Sequence, residues 1–212
     1  MIKKRTLKSL VLFTGLLIIG AVIGLFMLRF YSAPHQPPEI NGFLWPNSKA
    51  IMDFTTIDQN GNSFNVDDLY GKWSLIFFGY THCPDVCPIS LTVLEQFYNR
   101  VANKDVIQII FVTVDPDRDT PARLKEYLEF FDPGFVGLGG TIDQITSLTD
   151  QIGIAYLYQL PQSDGNYLVD HTSSIFLFDQ QAQLVSIFSA PHSVDEIYSR
   201  FSDIQNFLST NK

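Results

Sequence analysis

Residues 74–88 read SLIFFGYTHCPDVCP. The apolar run Ser74–Tyr80 predicts a strand buried on both faces, because it is short and does not alternate with polar residues. Both cysteines of the chain, Cys83 and Cys87, follow it. A helix is expected next, since apolar residues recur at helical spacing at Leu91, Leu94, Phe97, Tyr98 and Val101. The two thiols therefore lie at the carboxyl end of a strand, where open α/β sheets bind ligands.

The start of this helix is indicated by Pro88. Proline has no N–H and clashes with the preceding turn when it lies inside a helix, and it displaces the residue before it from helical geometry. We therefore expect Cys87 near the N-cap, Pro88 at the first helical position and Cys83 in the preceding loop. Both sulfurs then face the positive end of the helix dipole, which favours thiolate over thiol.

The spacing of the cysteines leaves two chemistries open. Three residues separate them, one more than in the C-x-x-C motif of thiol oxidoreductases. The longer gap gives the sulfurs room to bind one soft metal ion, and it still allows a disulfide. A purely structural disulfide across so small a loop would constrain little of the unfolded chain. We therefore interpret Cys83 and Cys87 as a functional pair, either metal-binding or redox-active.

The remaining pattern predicts an α/β domain over residues 49–212. Asn60-Gly61 lies between two β-prone runs and indicates an N-terminal hairpin, while the β-branched run Val106–Val114 predicts a second central strand. Further strands are expected at Ala155–Leu160, Tyr167–Asp170, Ser174–Phe178 and Leu184–Ser189. Capping signals indicate helices that begin after Thr120, Thr141 and Ser193. A β-α-β half followed by a β-β-α half predicts a thioredoxin-like fold, with a central mixed sheet flanked by helices.

The N-terminus predicts a membrane anchor. Residues 1–8 are basic, residues 9–28 are uncharged and long enough to span a bilayer, and residues 29–48 form a Pro-rich linker. By the positive-inside rule the basic segment stays in the cytoplasm and the domain is exported. A cleaved signal peptide is the alternative, but its apolar region would be shorter, about 7–15 residues. We therefore expect one transmembrane helix in a bacterial inner membrane, with the domain in the periplasm. From the linker we expect three residues to dock on that domain: Phe43, Leu44 and Trp45.

The 212-residue chain has a net charge of −8 that is unevenly distributed. Residues 1–30 carry +5, which leaves −13 on the rest. An acidic body of this kind argues against nucleic acid as a partner, and two cysteines in all exclude a disulfide-dense scaffold. The acidic segment 115–121, DPDRDTP, is either a recognition loop or a solvated turn that caps the next helix. From the sequence we favour the turn.

Two sulfurs alone leave a metal ion under-coordinated, so a third ligand is expected among the four histidines. His171 lies just before the strand Ser174–Phe178, and in a thioredoxin-like layout the loop before that strand faces the cysteine loop. We therefore predict His171 as the third ligand, with Asp170 orienting its ring. His82 adjoins Cys83, but its side chain is expected to point away from that of its neighbour.

Three segments together resemble the Sco/SenC family of thioredoxin-fold copper chaperones: FGYTHCPDVCP (78–88), VTVDPDRDTP (112–121) and DHTSSIFLFD (170–179). The likeness extends over roughly residues 42–208. The resemblance implies that Cys83, Cys87 and His171 bind one copper ion, as Cu(I) or Cu(II). It also implies a role in assembling the binuclear copper site of cytochrome c oxidase, as a metallochaperone that donates copper or as a protein that keeps the target cysteines reduced.

The partners that this resemblance implies are the copper-bearing subunit of the oxidase, in a transient complex, and other copper chaperones. The alternative function is that of a thiol–disulfide oxidoreductase that keeps target cysteines reduced. Such enzymes typically carry a cis-proline before the third main strand, where this chain has Ser173-Ser174. That difference counts against general oxidoreductase activity. A zinc site is chemically allowed, but the resemblance favours copper.

Overall fold

The structure of the protein, a computed structural model, describes residues 3–30, 40–44, 46–161 and 166–210, with side chains from residue 13 to 27 in the first of these ranges. The chain forms two compact units, Met1–Pro37 and Pro38–Lys212. The first contains helix α1 (Lys3–Phe30), which includes the predicted span 9–28. Among the described residues, no helix qualifies as both long and apolar enough to cross a membrane, so the anchor stays a prediction.

The second unit is built on one large mixed sheet. Its strands are β1 (Lys49–Ala50), β2 (Thr55–Asp58), β3 (Ser63–Asn65), β4 (Trp73–Gly79), β5 (Ile107–Thr113), β6 (Val136–Gly139), β9 (Ile175–Phe178) and β10 (Gln183–Phe188), in the order β1-β10-β9-β4-β5-β6-β2-β3. Every residue of the parallel pair β4 and β5 is buried, so these strands form the centre. A separate antiparallel pair consists of β7 (Tyr156–Tyr158) and β8 (Val169–His171).

Four helices belong to this unit: α2 (Val86–Arg100), α3 (Pro121–Glu129), α4 (Ile142–Ile152) and α5 (Val194–Thr210). Short 3-10 helices occupy Val66–Leu69 and Lys104–Val106. Thr120 caps α3 through a hydrogen bond to the Arg123 N–H, and Thr141 forms a capping box with Gln144 at α4. The predicted thioredoxin-like fold, the hairpin and these two caps are confirmed.

The two-residue strand β1 was not predicted. Strand β6 was not predicted either. Its glycines permit close packing of α3, since an added Cβ at Gly137 would lie 2.7 Å from Leu128 Cδ1 and one at Gly139 would lie 3.2 Å from Leu124 Cδ1. Because glycine replaces the β-branched residues that usually mark a buried strand, the segment lacks the signal on which the prediction depends.

The start of α2 also differs from the prediction. Asp85 is the N-cap, so Cys87 and Pro88 are the second and third helical residues. Proline is tolerated there because the first four N–H groups of a helix have no partner within it. The orphan N–H of Cys87 instead donates to Cys83 Sγ at 3.4 Å.

The end of the predicted linker docks on the sheet as expected for two of its three residues. Phe43 forms an antiparallel bridge with Ser186, and the Leu44 N–H donates to the Val185 carbonyl at 2.8 Å. Trp45 and residues 31–39 lie outside the described residues.

Candidate metal centre

Three residues from separate parts of the chain meet at the carboxyl end of β4. Cys83 lies in the loop after that strand, where its N–H donates to the Tyr80 carbonyl at 3.2 Å. Cys87 lies in the first turn of α2, and His171 is the last residue of β8. The two sulfurs and one imidazole nitrogen all lie within 4.8 Å of one another. The structure thus brings together the three side chains singled out from the sequence.

Neither cysteine of this group forms a disulfide. Cys87 Sγ lies 3.4 Å from His171 Nε2. Cys87 is fully buried, whereas Cys83 and His171 are partly exposed. The group is therefore reached from outside through Cys83 and His171.

The ring of His171 is oriented by the backbone. Its Nδ1 lies 3.1 Å from the Thr172 carbonyl oxygen, and because a carbonyl only accepts, Nδ1 carries the proton. In the neutral ring the lone pair of Nε2 then faces the sulfurs. This orienting role was predicted for Asp170, but successive side chains alternate along β8. The Asp170 carboxylate accepts from Gln159 Nε2 instead, at 3.0 Å to each oxygen.

Two aromatic rings enclose the imidazole. The ring centroid of Tyr80 lies 5.9 Å from that of His171, and the ring centroid of Phe77 lies 6.2 Å away. Both pairs are edge-on, the arrangement that aromatic quadrupoles favour. Since both rings belong to β4 or to the residue after it, they tie His171 to the strand that precedes the cysteines.

The two thiols differ strongly in acidity. A hydrogen bond from the Cys87 thiol lowers the pKa of Cys83 to about 4, against desolvation, and backbone N–H groups of Asp85 and Cys87 add to this effect. The pKa of Cys87 is raised, first because it donates that hydrogen bond and then because it is buried. Cys83 is thus the thiolate of the pair at neutral pH, and Cys87 holds the proton.

Gly79 makes room for this arrangement, a role that the sequence analysis missed. A Cβ added there would lie 2.8 Å from Cys87 Sγ and 2.8 Å from Phe111 Cε2. Real Cβ atoms do not approach so closely, so any larger residue displaces the sulfur or the ring. A glycine at the end of an otherwise bulky strand was the available signal, because such a glycine often marks a close approach.

The acidic segment 115–121 is hydrogen-bonded to the loop that carries Cys83. Asp119 is 2% exposed and accepts three hydrogen bonds, from the Thr81 N–H (2.9 Å), the Thr81 hydroxyl (2.6 Å) and the Thr113 hydroxyl (2.7 Å). The expectation of a solvated turn is therefore wrong for this carboxylate, although Thr120 caps α3 as expected. The segment's position could not be predicted because its partners lie up to 52 positions away.

A second buried carboxylate of this segment, Asp115, ties it to β7 and β8. It accepts a hydrogen bond from the Tyr167 hydroxyl at 2.8 Å and forms an ion pair with Arg118. The Arg118 guanidinium also lies 3.6 Å from the centre of the Tyr167 ring. Nearby, the Tyr158 hydroxyl donates to the Val114 carbonyl at 2.6 Å. These contacts fasten the part of the chain that carries His171.

The donor set fits a soft metal ion. A thiolate, a second cysteine sulfur and an imidazole nitrogen suit Cu(I) or Zn²⁺ and do not suit Mg²⁺ or Ca²⁺. Because thiolate is the binding form, Cys87 would release its proton when a metal binds.

Comparison with known proteins places these features in one family. Residues 46–206 match the family model described as SCO1/SenC. A SCO2-like protein of Rickettsia felis is 38% identical over 200 residues, covering 92% of this chain and 95% of that protein. The structure of Bradyrhizobium japonicum ScoI with copper bound has a TM-score of 0.67 at 38% identity, covering 72% of this chain and 98% of that one. Yeast Sco1 has a TM-score of 0.68 at 32% identity, covering 73% and 96%.

Proposed function

The chain belongs to the SCO1/SenC family, and we propose that it is a metallochaperone that binds one copper ion through Cys83, Cys87 and His171. The observation that carries the proposal is the convergence of the three ligand atoms within 4.8 Å, from positions up to 88 residues apart. The copper-bound structure of the 38% identical ScoI supports copper as the metal. The Asp170 carboxylate accepts a hydrogen bond from Gln159, and the Thr172 carbonyl accepts the hydrogen bond that orients the ring of His171.

The proposed role is delivery of copper to the binuclear site of cytochrome c oxidase, in a transient complex with the subunit that carries it. The partial exposure of Cys83 and His171 supports transfer by ligand exchange, because an acceptor reaches these two ligands first. A surface groove of about 350 Å³ runs along β7 and β8 beside His171. It gives an acceptor segment room to approach the imidazole.

The proposed location is the bacterial inner membrane, with residues 9–28 as the anchor and the domain in the periplasm. Support comes from the uncharged apolar run that follows a basic segment. Washing membranes with carbonate or high salt should leave the full-length chain in the pellet. Recovery of a shortened soluble form would instead indicate a cleaved signal peptide.

Metal analysis of the full-length chain in detergent tests the copper site. The reduced protein, loaded with Cu(I) in the absence of oxygen, should bind one copper per chain. Cys83→Ser, Cys87→Ser and His171→Ala should each weaken binding by more than about tenfold, since losing a group that only orients a ligand already costs about 10–100-fold.

His192→Gln is the matched control for His171→Ala. The His192 Nε2 donates to the Ser173 carbonyl at 2.8 Å, and the glutamine amide keeps a donor there. This variant should bind copper like the wild type. Unchanged stoichiometry and affinity in His171→Ala would rule out the three-ligand site.

The unequal thiols favour a second candidate function, thiol–disulfide exchange. The Cys83 thiolate would attack a target disulfide, form a mixed disulfide and release one target thiolate. The buried Cys87, after losing its proton, would then attack Cys83 Sγ, form the Cys83–Cys87 disulfide and release the second target thiolate. The target is reduced by two electrons and the cysteine pair is oxidised by two.

His171→Ala separates the two functions. A chaperone loses its copper in this variant, whereas an exchange enzyme keeps reducing a model disulfide such as oxidised glutathione at the wild-type rate. Reduction by the wild type with a reduction potential suited to such substrates, together with weak copper binding, would favour the oxidoreductase.

A further inference from the structure

Arg118 contacts both parts of the chain that position the His171 ring. Its guanidinium carbon lies 3.6 Å from the centre of the Tyr167 ring and 5.6 Å from the centre of the Tyr80 ring. Tyr80 follows β4, and its ring meets the imidazole edge-on at 5.9 Å. Tyr167 lies just before β8, the strand that ends at His171. The cation therefore contacts the aromatic neighbour of the imidazole and the start of the strand that carries it.

The hydrogen bonds of Arg118 reinforce these contacts. Its Nη1–H donates to the Tyr167 carbonyl at 3.0 Å, and its Nε–H donates to Asp115. The same carboxylate accepts from the Tyr167 hydroxyl at 2.8 Å. Tyr167 is thus held through its carbonyl, its ring and its hydroxyl, and each of these contacts is made by Arg118 or by its ion-pair partner. The backbone that leads into β8 is therefore fixed to the segment 115–121.

Neutralising Asp115 does not account for this geometry. That carboxylate is fully buried, so a positive partner is expected. A guanidinium that served the carboxylate alone would donate from Nε and Nη2 together, because two parallel N–H groups match the two carboxylate oxygens. Here Nε donates to Asp115, whereas Nη2 is buried without a partner among the described residues. The guanidinium lies over the Tyr167 ring instead and uses Nη1 on the backbone.

We propose that Arg118 is a positioning residue for the third copper ligand: it holds the Tyr80 ring and the start of β8 so that the His171 imidazole meets the two sulfurs. The proposal rests on the copper-binding function proposed above. Among the described residues, no hydrogen bond or ring contact joins Arg118 to Cys83 or Cys87. Arg118 should therefore affect copper binding through the imidazole alone.

Arg118→Lys separates positioning from charge. Lysine keeps the positive charge beside Asp115, but it lacks the planar group that covers a ring while donating two hydrogen bonds. Arg100→Lys is the matched control, because Arg100 also pairs with an aspartate, Asp195, and lies 4.6 Å from the centre of a tyrosine ring, Tyr198. Arg100 is the last residue of α2, whereas the metal centre lies at the first turn of that helix.

The affinity for Cu(I) is measured in a double-mutant cycle. The four proteins are the wild type, Arg118→Lys, His171→Ala and the double variant, each full-length in detergent, reduced and metal-free, with oxygen excluded. Each competes for Cu(I) with bicinchoninate, and the absorbance of the Cu(I)–bicinchoninate complex gives Kd. A residue that acts through His171 has an effect only while His171 is present.

Arg118→Lys should weaken binding about tenfold or more in the wild-type background, as expected for a group that orients a metal ligand. In the His171→Ala background it should change Kd by less than about twofold, and Arg100→Lys should bind like the wild type. Equal weakening in both backgrounds would overturn the proposal, because Arg118 would then act on the cysteines or on the whole fold. Wild-type affinity in Arg118→Lys would overturn it as well.

The ring nitrogen chemical shifts of His171 in the metal-free protein give a readout that does not need copper. The wild type should show the tautomer with the proton on Nδ1, held by the Thr172 carbonyl, and Arg118→Lys a mixture of both tautomers. Unchanged shifts would contradict the positioning role. If the wild type binds no Cu(I), the proposed function fails, and these spectra still decide whether Arg118 holds the ring.

Denaturant unfolding shows whether Arg118→Lys is folded. If it is not, Tyr167→Leu takes its place in the cycle and in the spectra. This substitution removes the ring that the guanidinium covers and keeps the ion pair of Arg118 with Asp115. The same dependence on His171 is expected, and equal weakening with and without His171 would overturn the proposal.

Discussion

At the scale of single residues, the two cysteines differ in acidity because their surroundings in the fold differ. Cys83 lies in a loop, partly exposed, and receives hydrogen bonds from the Cys87 thiol and from backbone N–H groups. Cys87 is buried against Gly79 and Phe111. The sequence predicted thiolate character for both from the helix dipole alone. It could not predict which thiol keeps the proton, because that depends on which thiol donates to the other and on how deeply each is buried in the folded domain.

The pH dependence of alkylation tests this assignment. Since the pKa of Cys83 is lowered to about 4, its thiolate persists as the pH falls from 8 to 5, and reactivity is lost only as the pH falls through about 4. The rate of reaction with iodoacetamide should therefore be flat between pH 6 and 8. An ordinary thiol would lose most of its reactivity over this range.

Cys83→Ser is the control for this measurement. It leaves only Cys87, and burial still raises the pKa of that thiol when the Cys83 sulfur is gone, so alkylation should require alkaline pH. Rapid alkylation of this variant at pH 6 would show that the assignment of thiol and thiolate is reversed.

Gly79→Ala tests the fit behind Cys87. The added methyl group would lie 2.8 Å from Cys87 Sγ, so the sulfur must shift. Overpacking a core costs about 1–3 kcal/mol, and the displaced ligand should also weaken copper binding. Denaturant unfolding and copper titration measure the two effects. Gly20→Ala, where an added Cβ has nothing within 4 Å, should change neither. Wild-type copper affinity in Gly79→Ala would contradict the tight fit.

At the scale of elements, β7 and β8 form an arm that carries His171 outside the main sheet. Hydroxyl groups on both sides of the arm reach the segment before α3, through Tyr158 to Val114 and through Tyr167 to Asp115. The position of the imidazole therefore depends on contacts that no strand pairing of the main sheet supplies.

Tyr158→Phe and Tyr167→Phe should loosen this arm. Each removes one hydrogen bond, worth about 1 kcal/mol, and Tyr167→Phe also leaves a buried carboxylate with one partner fewer. Hydrogen exchange of the β8 amides should become faster. Tyr127→Phe is the matched control, because this residue lies on α3, outside the arm, and its hydroxyl has no hydrogen-bond partner among the described residues. If the β8 amides of Tyr158→Phe and Tyr167→Phe exchange no faster than those of the control, the arm does not depend on these hydroxyls.

Elements that have a local sequence signal could be predicted, and elements that depend on residues distant in the sequence could not. The apolar runs of β4 and β5 and the caps Thr120 and Thr141 were identified because their signals lie within a few residues. Strand β6 was missed because it contains glycines in place of β-branched residues. These glycines allow α3 to pack closely against the strand. His171 was predicted only through the topology that brings the start of β9 to the end of β4.

At the scale of the whole molecule, the site joins two halves of the fold. Cys83 and Cys87 follow β4, whereas His171 precedes β9, and the two strands pair in the sheet centre. The backbone alone already fixes these strands, because they are hydrogen-bonded and buried. A metal ion bound to all three side chains would add a cross-link that exists in the folded state alone.

Such a cross-link should raise the thermal stability of the protein. A ligand that binds the folded state only, at a free concentration of 1,000 times Kd, stabilises it by about 4 kcal/mol. For a domain of this size, 1 kcal/mol corresponds to roughly 2–4 °C, so Cu(I) should raise Tm by roughly 10 °C. Removal with a Cu(I) chelator should reverse the shift. In His171→Ala, copper can join only Cys83 and Cys87, which are close in sequence, so the shift should be much smaller. An equal shift in this variant would mean that copper does not connect the two halves.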